Sequence, residues 1–368
     1  MKEHIKNIIR YHQIKAWYQR YERILIPGTL LIGVIFDWFT FTSISIVSTF
    51  ILLFVYAFLA GVLIAWSSIY DARGLETGKA LSYLRFATPL LIQFLFGALL
   101  SGSFIFYWFS GALVVSWPFI ILIVVLMVGN DVFRHYYLRP VIQMSIYFFI
   151  LFSLFSIVVP YLFNSLSPWL FVMAGVGSTA CIALYMWLLS RVVPGMWEKR
   201  IQFFIPIASI VVLMNGFYFL NVIPPIPLSI RDAGVYHMVE RQGSEYRLTG
   251  EKESWWERFM PGMTIHVTPG DPVYVYTAIF APSDLNINIV HRWQYYNEKQ
   301  QAWISVNKLS FSLTGGRREG FRGFSRKTAV QPGKWRVYVE TTRGQVLGRL
   351  SFQIVHADEE QKTEVIVR

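Results

Sequence analysis

Seven apolar stretches, each close to the length a helix needs to cross a bilayer, occupy most of the first 222 residues. A hydrocarbon core is spanned by about 20 such residues. They are Ile24–Phe36 (extended by Trp38 and Phe41), Ile44–Trp66, Phe86–Trp108, Gly111–Val128, Val141–Phe163, Trp169–Leu189 and Ile201–Val222. After the last one the pattern changes within a dozen residues. A Pro-stiffened exit, IPPIPLSIRDAGVY, leads into polar sequence with alternating apolar positions. Two regions of different class therefore follow one another: a helical membrane bundle, then an all-β domain.

The loops between the stretches carry charge in alternation. The N-terminal segment holds six Lys/Arg; Ser67–Arg85 holds Arg73, Lys79 and Arg85; Gly129–Pro140 holds Arg134 and Arg139; Ser190–Arg200 holds Arg191, Lys199 and Arg200. The loops around Asp37–Ser43, Tyr107–Gly111 and Asn164–Pro168 hold none. Cytoplasmic loops retain Lys and Arg while translocated ones lose them. The alternation is complete only with seven spans. It places the N-terminus in the cytoplasm and everything after Val222 on the far side. A re-entrant first stretch would put the basic N-terminus outside, against this bias. Trp38, Trp108, Trp117, Trp169 and Trp197 fall near span ends, where an indole settles between hydrocarbon and headgroups.

Composition agrees: 15% of residues are charged and 54% hydrophobic, against about 25% charged in soluble domains. The net charge of +11 resides largely in the cytoplasmic loops, so it does not argue for a nucleic-acid partner. Cys181 is the only cysteine, which excludes an internal disulfide or a cysteine metal site. Residues 1–23 are too long and charged for a secretory signal. They read as an amphipathic helix on an anionic membrane surface, or as a solvated helix packed on the protein's own loops.

Inside the spans, Asp37, Asp131 and Asn215 are the polar groups that would serve an ion or proton path. Interfacial capping and interhelical hydrogen bonding is the plainer role for them, as for Asn130, Gln93 and Gln143. Gly97-x-x-x-Ser101 and Gly175-x-x-x-Thr179 allow close helix approach, in this chain or between copies.

The outer region reads as strands. Leu309, Phe311 and Leu313 share a face, as do Trp335, Val337 and Val339, and Leu350, Phe352 and Ile354. Further strands are predicted at Val235–Arg241, Met263–Thr268, Val273–Phe280, Ile287–Tyr295 and Phe321–Lys327, with a helix or aromatic flap at Glu251–Met260. Turn signals separate the strands. The spacing predicts a two-sheet antiparallel sandwich of the immunoglobulin type. The expected organisation is thus a cytoplasmic segment (1–23), a seven-span bundle (24–222), a linker (223–234), a β-sandwich (235–356) and a tail (357–368).

Trp293 and Arg317, Arg318, Arg322 and Arg326 form a basic-aromatic set suited to an anionic partner, or a solvated loop near anionic headgroups. His291 shares a strand face with Ile289 and Trp293. That makes it a core histidine with a hydrogen-bond partner, or a catalytic group. No nucleophile lies beside a base, no phosphate loop occurs, and no metal or cofactor is implied.

The chain resembles a family of uncharacterised bacterial integral membrane proteins with a C-terminal domain of unknown function. The resemblance rests on Gly33-Val34-Ile35-Phe36-Asp37, Ser116-Trp117-Pro118-Phe119, Val128-Gly129-Asn130-Asp131 and Ile223-Pro224-Pro225-Ile226-Pro227-Leu228 with Val235-Tyr236-His237. In the outer domain it rests on His291-Arg292-Trp293, Phe324-Ser325-Arg326-Lys327 and Gly333-Lys334-Trp335-Arg336-Val337, followed by Gly344, Leu347-Gly348 and Phe352. It implies a bacterial inner-membrane location with an outward-facing module, and no activity. The expected function is non-enzymatic: a bilayer-anchored sandwich that binds an envelope protein or anionic polymer. The alternative is a transporter or lipid-handling protein whose bundle is the active part.

Overall fold

The computed structural model describes residues 32–40, 46–73, 79–109, 113–132, 139–225, 228–243, 245–251, 263–281, 285–314, 320–357 and 363–368. The N-terminal segment, most of the first apolar stretch before Ile32, and the segment after Glu251 expected as helix or flap lie outside these residues. Residues 32–40 are helical. Six helices follow: α1 (Ile46–Arg73), α2 (Lys79–Phe109), α3 (Leu113–Val132), α4 (Pro140–Leu162), α5 (Pro168–Ser190) and α6 (Arg200–Phe219). Five of these are long and apolar enough to cross a membrane, and α3 contains a shorter apolar helix, Val115–Asn130. Pro89, Pro118, Pro160 and Pro206 sit inside helices, which membrane helices tolerate when neighbours satisfy the freed carbonyls.

The chain divides into two compact units. The first comprises residues 1–105, 121–158 and 172–214. Its helices are joined by side chains reaching backbone carbonyls. Tyr147 Oη donates to Ala57 O at 3.0 Å and Tyr185 Oη to Gly61 O at 2.7 Å. Asn130, 1% exposed, donates from Nδ2 to Gln93 O at 2.9 Å. This is the interhelical hydrogen bonding expected of polar groups in apolar helices. The glycine of each small-residue pair faces a neighbour in the same chain: Phe152 covers Gly175, and Asn130 lies opposite Gly97. A Cβ at Gly61 would stand 2.7 Å from Tyr147 Oη. Gly61→Ala is therefore expected to displace that phenol and cost about 1–3 kcal/mol. Thermal unfolding of the detergent-solubilised chain would register it as a lowered midpoint.

The second unit comprises residues 106–120, 159–171 and 215–368. Asn221 ends α6 in the left-handed region at φ 58°, and Val222 N–H returns to Phe217 O at 2.8 Å, a Schellman-type cap. Eleven strands follow among the described residues: β1 (Ser229–Tyr236), β2 (Met238–Gln242), β3 (Glu245–Glu251), β4 (Met263–Val267), β5 (Val273–Phe280), β6 (Asn286–Asn297), β7 (Ala302–Thr314), β8 (Phe321–Lys327), β9 (Gly333–Thr341), β10 (Val346–His356) and β11 (Thr363–Val367).

They make three sheets, ordered β1-β5-β8, β4-β10-β9-β6-β7 and β11-β3-β2. Pairing is antiparallel except for β4 and β10, which run parallel from Met263↔Phe352 to Val267↔His356. That corrects the wholly antiparallel expectation. The third sheet was not anticipated either. It recruits the expected tail: β11 pairs with β3 from Thr363↔Glu251 to Val367↔Arg247. The strands also begin earlier than expected, at Ser229, inside the residues read as a linker.

Core clusters show how the sheets pack. Val273 and Val275 of β5 meet Trp293, Trp335, Phe352 and Ile354 of the five-stranded sheet. Tyr276 and Ala278 of the same strand meet Val239, Tyr246 and Leu248 of the third sheet. β5 is buried on both faces, which is why VYVYTAIF reads as a continuous apolar run. A further cluster gathers Ile279, Ile289, Leu313, Val339 and Leu347 with Leu228, and Leu166 of the α4–α5 connection packs on it. One end of the strands thus lies beside the helix connections. There Arg343, in the β9–β10 turn, donates to Tyr218 Oη of α6 at 2.6 Å. Tyr218 stacks on Phe171, with ring centroids 3.9 Å apart.

Candidate functional site

Among the described residues, the expected binding set does not form one surface. Trp293 is 0% exposed and belongs to the core, so its assignment to a binding face is corrected. Period-two geometry requires this, since it shares the inward face with His291. Arg317 and Arg318 lie outside the described residues. Arg322 is half-buried and Arg326 exposed on β8, either side of Phe324, which packs on Tyr246 of the third sheet. Asp37 is half-buried in the 32–40 helix, Asn215 is half-buried in α6, and Asp131 lies in the last turn of α3.

His291 is a core histidine, also 0% exposed. Its Nδ1 lies 2.8 Å from Ser325 Oγ and its Nε2 3.1 Å from Thr277 Oγ1. Trp293 Nε1 donates to the same Ser325 Oγ at 3.0 Å, and Thr277 Oγ1 donates to Gly323 O at 3.5 Å. One arrangement satisfies every group: Ser325 donates to Nδ1, and Nε2 carries the proton and donates to Thr277. The chain of bonds ties β6 to β5 and β8, and leaves His291 neutral with no free position for chemistry.

Burial pushes His291 down to about 3 from an ordinary 6.5. Between those values the unfolded chain holds a proton that the folded chain refuses, so stability falls as pH falls through that window. From pH 7 to pH 5 the loss is expected to be on the order of 2 kcal/mol. Urea unfolding followed by Trp fluorescence would show it, and His291→Gln would remove that slope.

Glu251 titrates lower. Burial alone would raise its carboxyl, but hydrogen bonds from His237 and from the ring and backbone N–H of His266 outweigh it and hold it at about 2. Its oxygens lie 3.1 Å from His237 Nε2 and 3.0 Å from His266 Nδ1. It borders a cleft of about 270 Å³ that also touches Asp232 and Arg368. Those two pair with each other at 2.8 Å, so these charges are already matched.

A cluster of cations without ion pairs among the described residues lies on the outward face of the five-stranded sheet. Strand register lines up three rows there. Lys308, Arg292, Tyr338 and Arg349 form the first, Ser305, Gln294, Arg336 and Ser351 the second. In the third, Trp303 pairs with Tyr296 on one side and Lys334 with Gln353 on the other. Five cations share these rows, and the neighbouring Glu340 is paired with one of them. Arg292 grips Glu340 with both Nε and Nη2, the shortest bond being 2.8 Å. Among the described residues, Lys308, Lys334, Arg336 and Arg349 form no ion pair.

Aromatic rings hold the guanidinia in place. Arg336 lies 4.0 Å over the Trp303 ring and 5.2 Å over Tyr338, and Arg292 lies 4.6 Å over the same Tyr338 ring. Gln294 Oε1 accepts from Arg336 Nε at 2.7 Å. Burial, together with the charges of Arg349 and Arg292, pushes the Arg336 guanidinium below its ordinary value. Arginine does not lose its proton in proteins, so the crowding persists as repulsion that an anion would relieve. The sequence carried a usable signal for this face: Arg292 and Arg336 alternate with the buried Trp293 and Trp335.

Residues 286–354 match the model of a protein family of unknown function, DUF2914. The match runs from β6 into β10 and so covers all three cationic rows and the His291–Ser325 pair. No curated protein matches the chain. Among solved structures, a β-glucosidase from Listeria innocua aligns at 13% identity over 32% of this chain and 16% of its own, with a TM-score of 0.19. The chain therefore spans about a sixth of that enzyme's length. An alkylpurine DNA glycosylase of Pseudomonas fluorescens bound to DNA aligns at 10% identity over 82% of this chain and 98% of its own, with a TM-score of 0.22. At such TM-scores neither likeness bears on fold or function.

Proposed function

We propose that this chain is an integral inner-membrane protein of seven spans, its N-terminus cytoplasmic. It presents an extracytoplasmic, immunoglobulin-like β-sandwich that binds an anionic envelope partner, polymer or protein. The basic loops that alternate along the bundle support the topology. The observation that carries the binding role is the crowding of Arg292, Arg336 and Arg349, of which only Arg292 pairs with a carboxylate among the described residues. Like charges held together cost stability unless an opposite charge meets them. We propose no catalytic role beside it; among the described residues the one buried histidine, His291, is held by Ser325 and Thr277.

A photo-crosslinking residue placed at Ser351 in living cells tests this reading. A discrete adduct is expected. It should disappear when Arg336 and Arg349 become Gln and persist when Arg322 and Arg326 do. An adduct unchanged by the first pair would refute the face; its loss with the second pair would move the site to β8.

A further inference from the structure

We infer that the ligand of the cationic face is an acidic polysaccharide, a sugar chain bearing carboxylate or phosphate groups. The inference rests on the anionic-partner reading above and names its chemistry. Three features of the face select this class.

The first is its distance from the helix ends. The β9–β10 turn meets Tyr218 through Arg343, and Leu166 and Leu228 pack at the same end of the strands. Tyr338 and Lys334 stand five and nine residues along β9 from Arg343, or roughly 17 to 30 Å at about 3.4 Å per residue. A charge is screened beyond about 8 Å at physiological salt, so charge at the Arg343 end of β9 would barely be felt at these rows.

The second is what the face lacks. A protein interface has an apolar, well-packed centre. Between these cations lie Ser305, Ser351, Gln294 and Gln353, with no aliphatic side chain at the paired positions of the three rows. The third is what it has at one end. Tyr296 and Trp303 sit side by side, ring centroids 5.2 Å apart, and the Lys334 ammonium lies 5.9 Å from the Tyr296 ring. An aromatic face carries partial negative charge and suits the C–H face of a sugar ring. The adjacent Lys334, Arg336 and Arg349 then meet the acid group of that sugar or the next.

The test uses the full chain in nanodiscs of zwitterionic lipid. Four probes are compared: polygalacturonate, neutral dextran, poly-glutamate and phosphatidylglycerol vesicles. Polygalacturonate should bind and dextran should not. Tyr296→Ala should weaken polygalacturonate binding roughly five- to tenfold, with Trp303→Phe as a milder second variant that keeps the sheet packed. Poly-glutamate binding as tight as polygalacturonate, vesicle binding in its place, or indifference to both aromatic variants overturns the polysaccharide assignment while the anionic reading stands. No binding to any anionic probe overturns both.

Discussion

Trp293→Ala is expected to cost the β region about 3–5 kcal/mol, the usual loss for emptying a buried large aromatic site. The indole is 0% exposed and meets Trp335 and Phe352 edge-to-face at centroid distances of 6.3 and 6.1 Å. It also supplies the N–H that Ser325 Oγ accepts. Its removal therefore leaves a cavity and loosens the hydroxyl that fixes the His291 tautomer. Trp293→Phe keeps most of the volume but not the N–H, so it separates the two contributions: it should cost about 1–3 kcal/mol, the range for orphaning a buried polar group. Urea unfolding measures both. A surface role for Trp293 would instead leave stability unchanged.

The largest functional effect is expected at Arg336 and Arg349. Each hydrogen bond to a charged partner contributes about 1.5–3 kcal/mol, and each 1.4 kcal/mol is about tenfold in affinity. Changing both to Gln should lower affinity for an anionic ligand about 100-fold and flatten its dependence on salt. Stability should change little, because relief of the repulsion among the guanidinia offsets the lost Arg336–Gln294 hydrogen bond and the stacking on Trp303. Arg292→Gln should behave differently. It abandons the buried Glu340, 5% exposed, and so should weaken folding as well as binding. An equal loss of stability in the double variant and in Arg292→Gln would mean that the face is structural.

Much of the architecture was legible before any coordinates, and the reasons are local. Helices uniformly apolar around their axes and strands with period-two alternation are properties of neighbours in sequence. Pairing partners are not. Nothing near Met263 announces that β4 will lie parallel to β10, and TEVIV after a charged stretch does not reveal that β3 needs an edge partner. The same limit applied to the site. Alternation placed His291 and Trp293 on one inward face, and that reasoning was sound. Counting Trp293 as a surface binder contradicted it. The outward residues Arg292, Gln294 and Arg336 follow from the same alternation. Their convergence on Trp303 and Tyr338, however, depends on a register between β6, β7 and β9 that only the folded sheet supplies. Thr277 and Ser325, which complete the histidine's bonds, lie 14 and 34 residues away from it.

The central claim is that a solvent-open cationic sheet face stands outside the cytoplasm. A Ser351→Cys variant in a Cys181→Ser background, treated with a membrane-impermeant maleimide on intact spheroplasts, addresses it most directly. Labelling before lysis is the predicted result. Labelling that appears only once the membrane is opened would contradict the account.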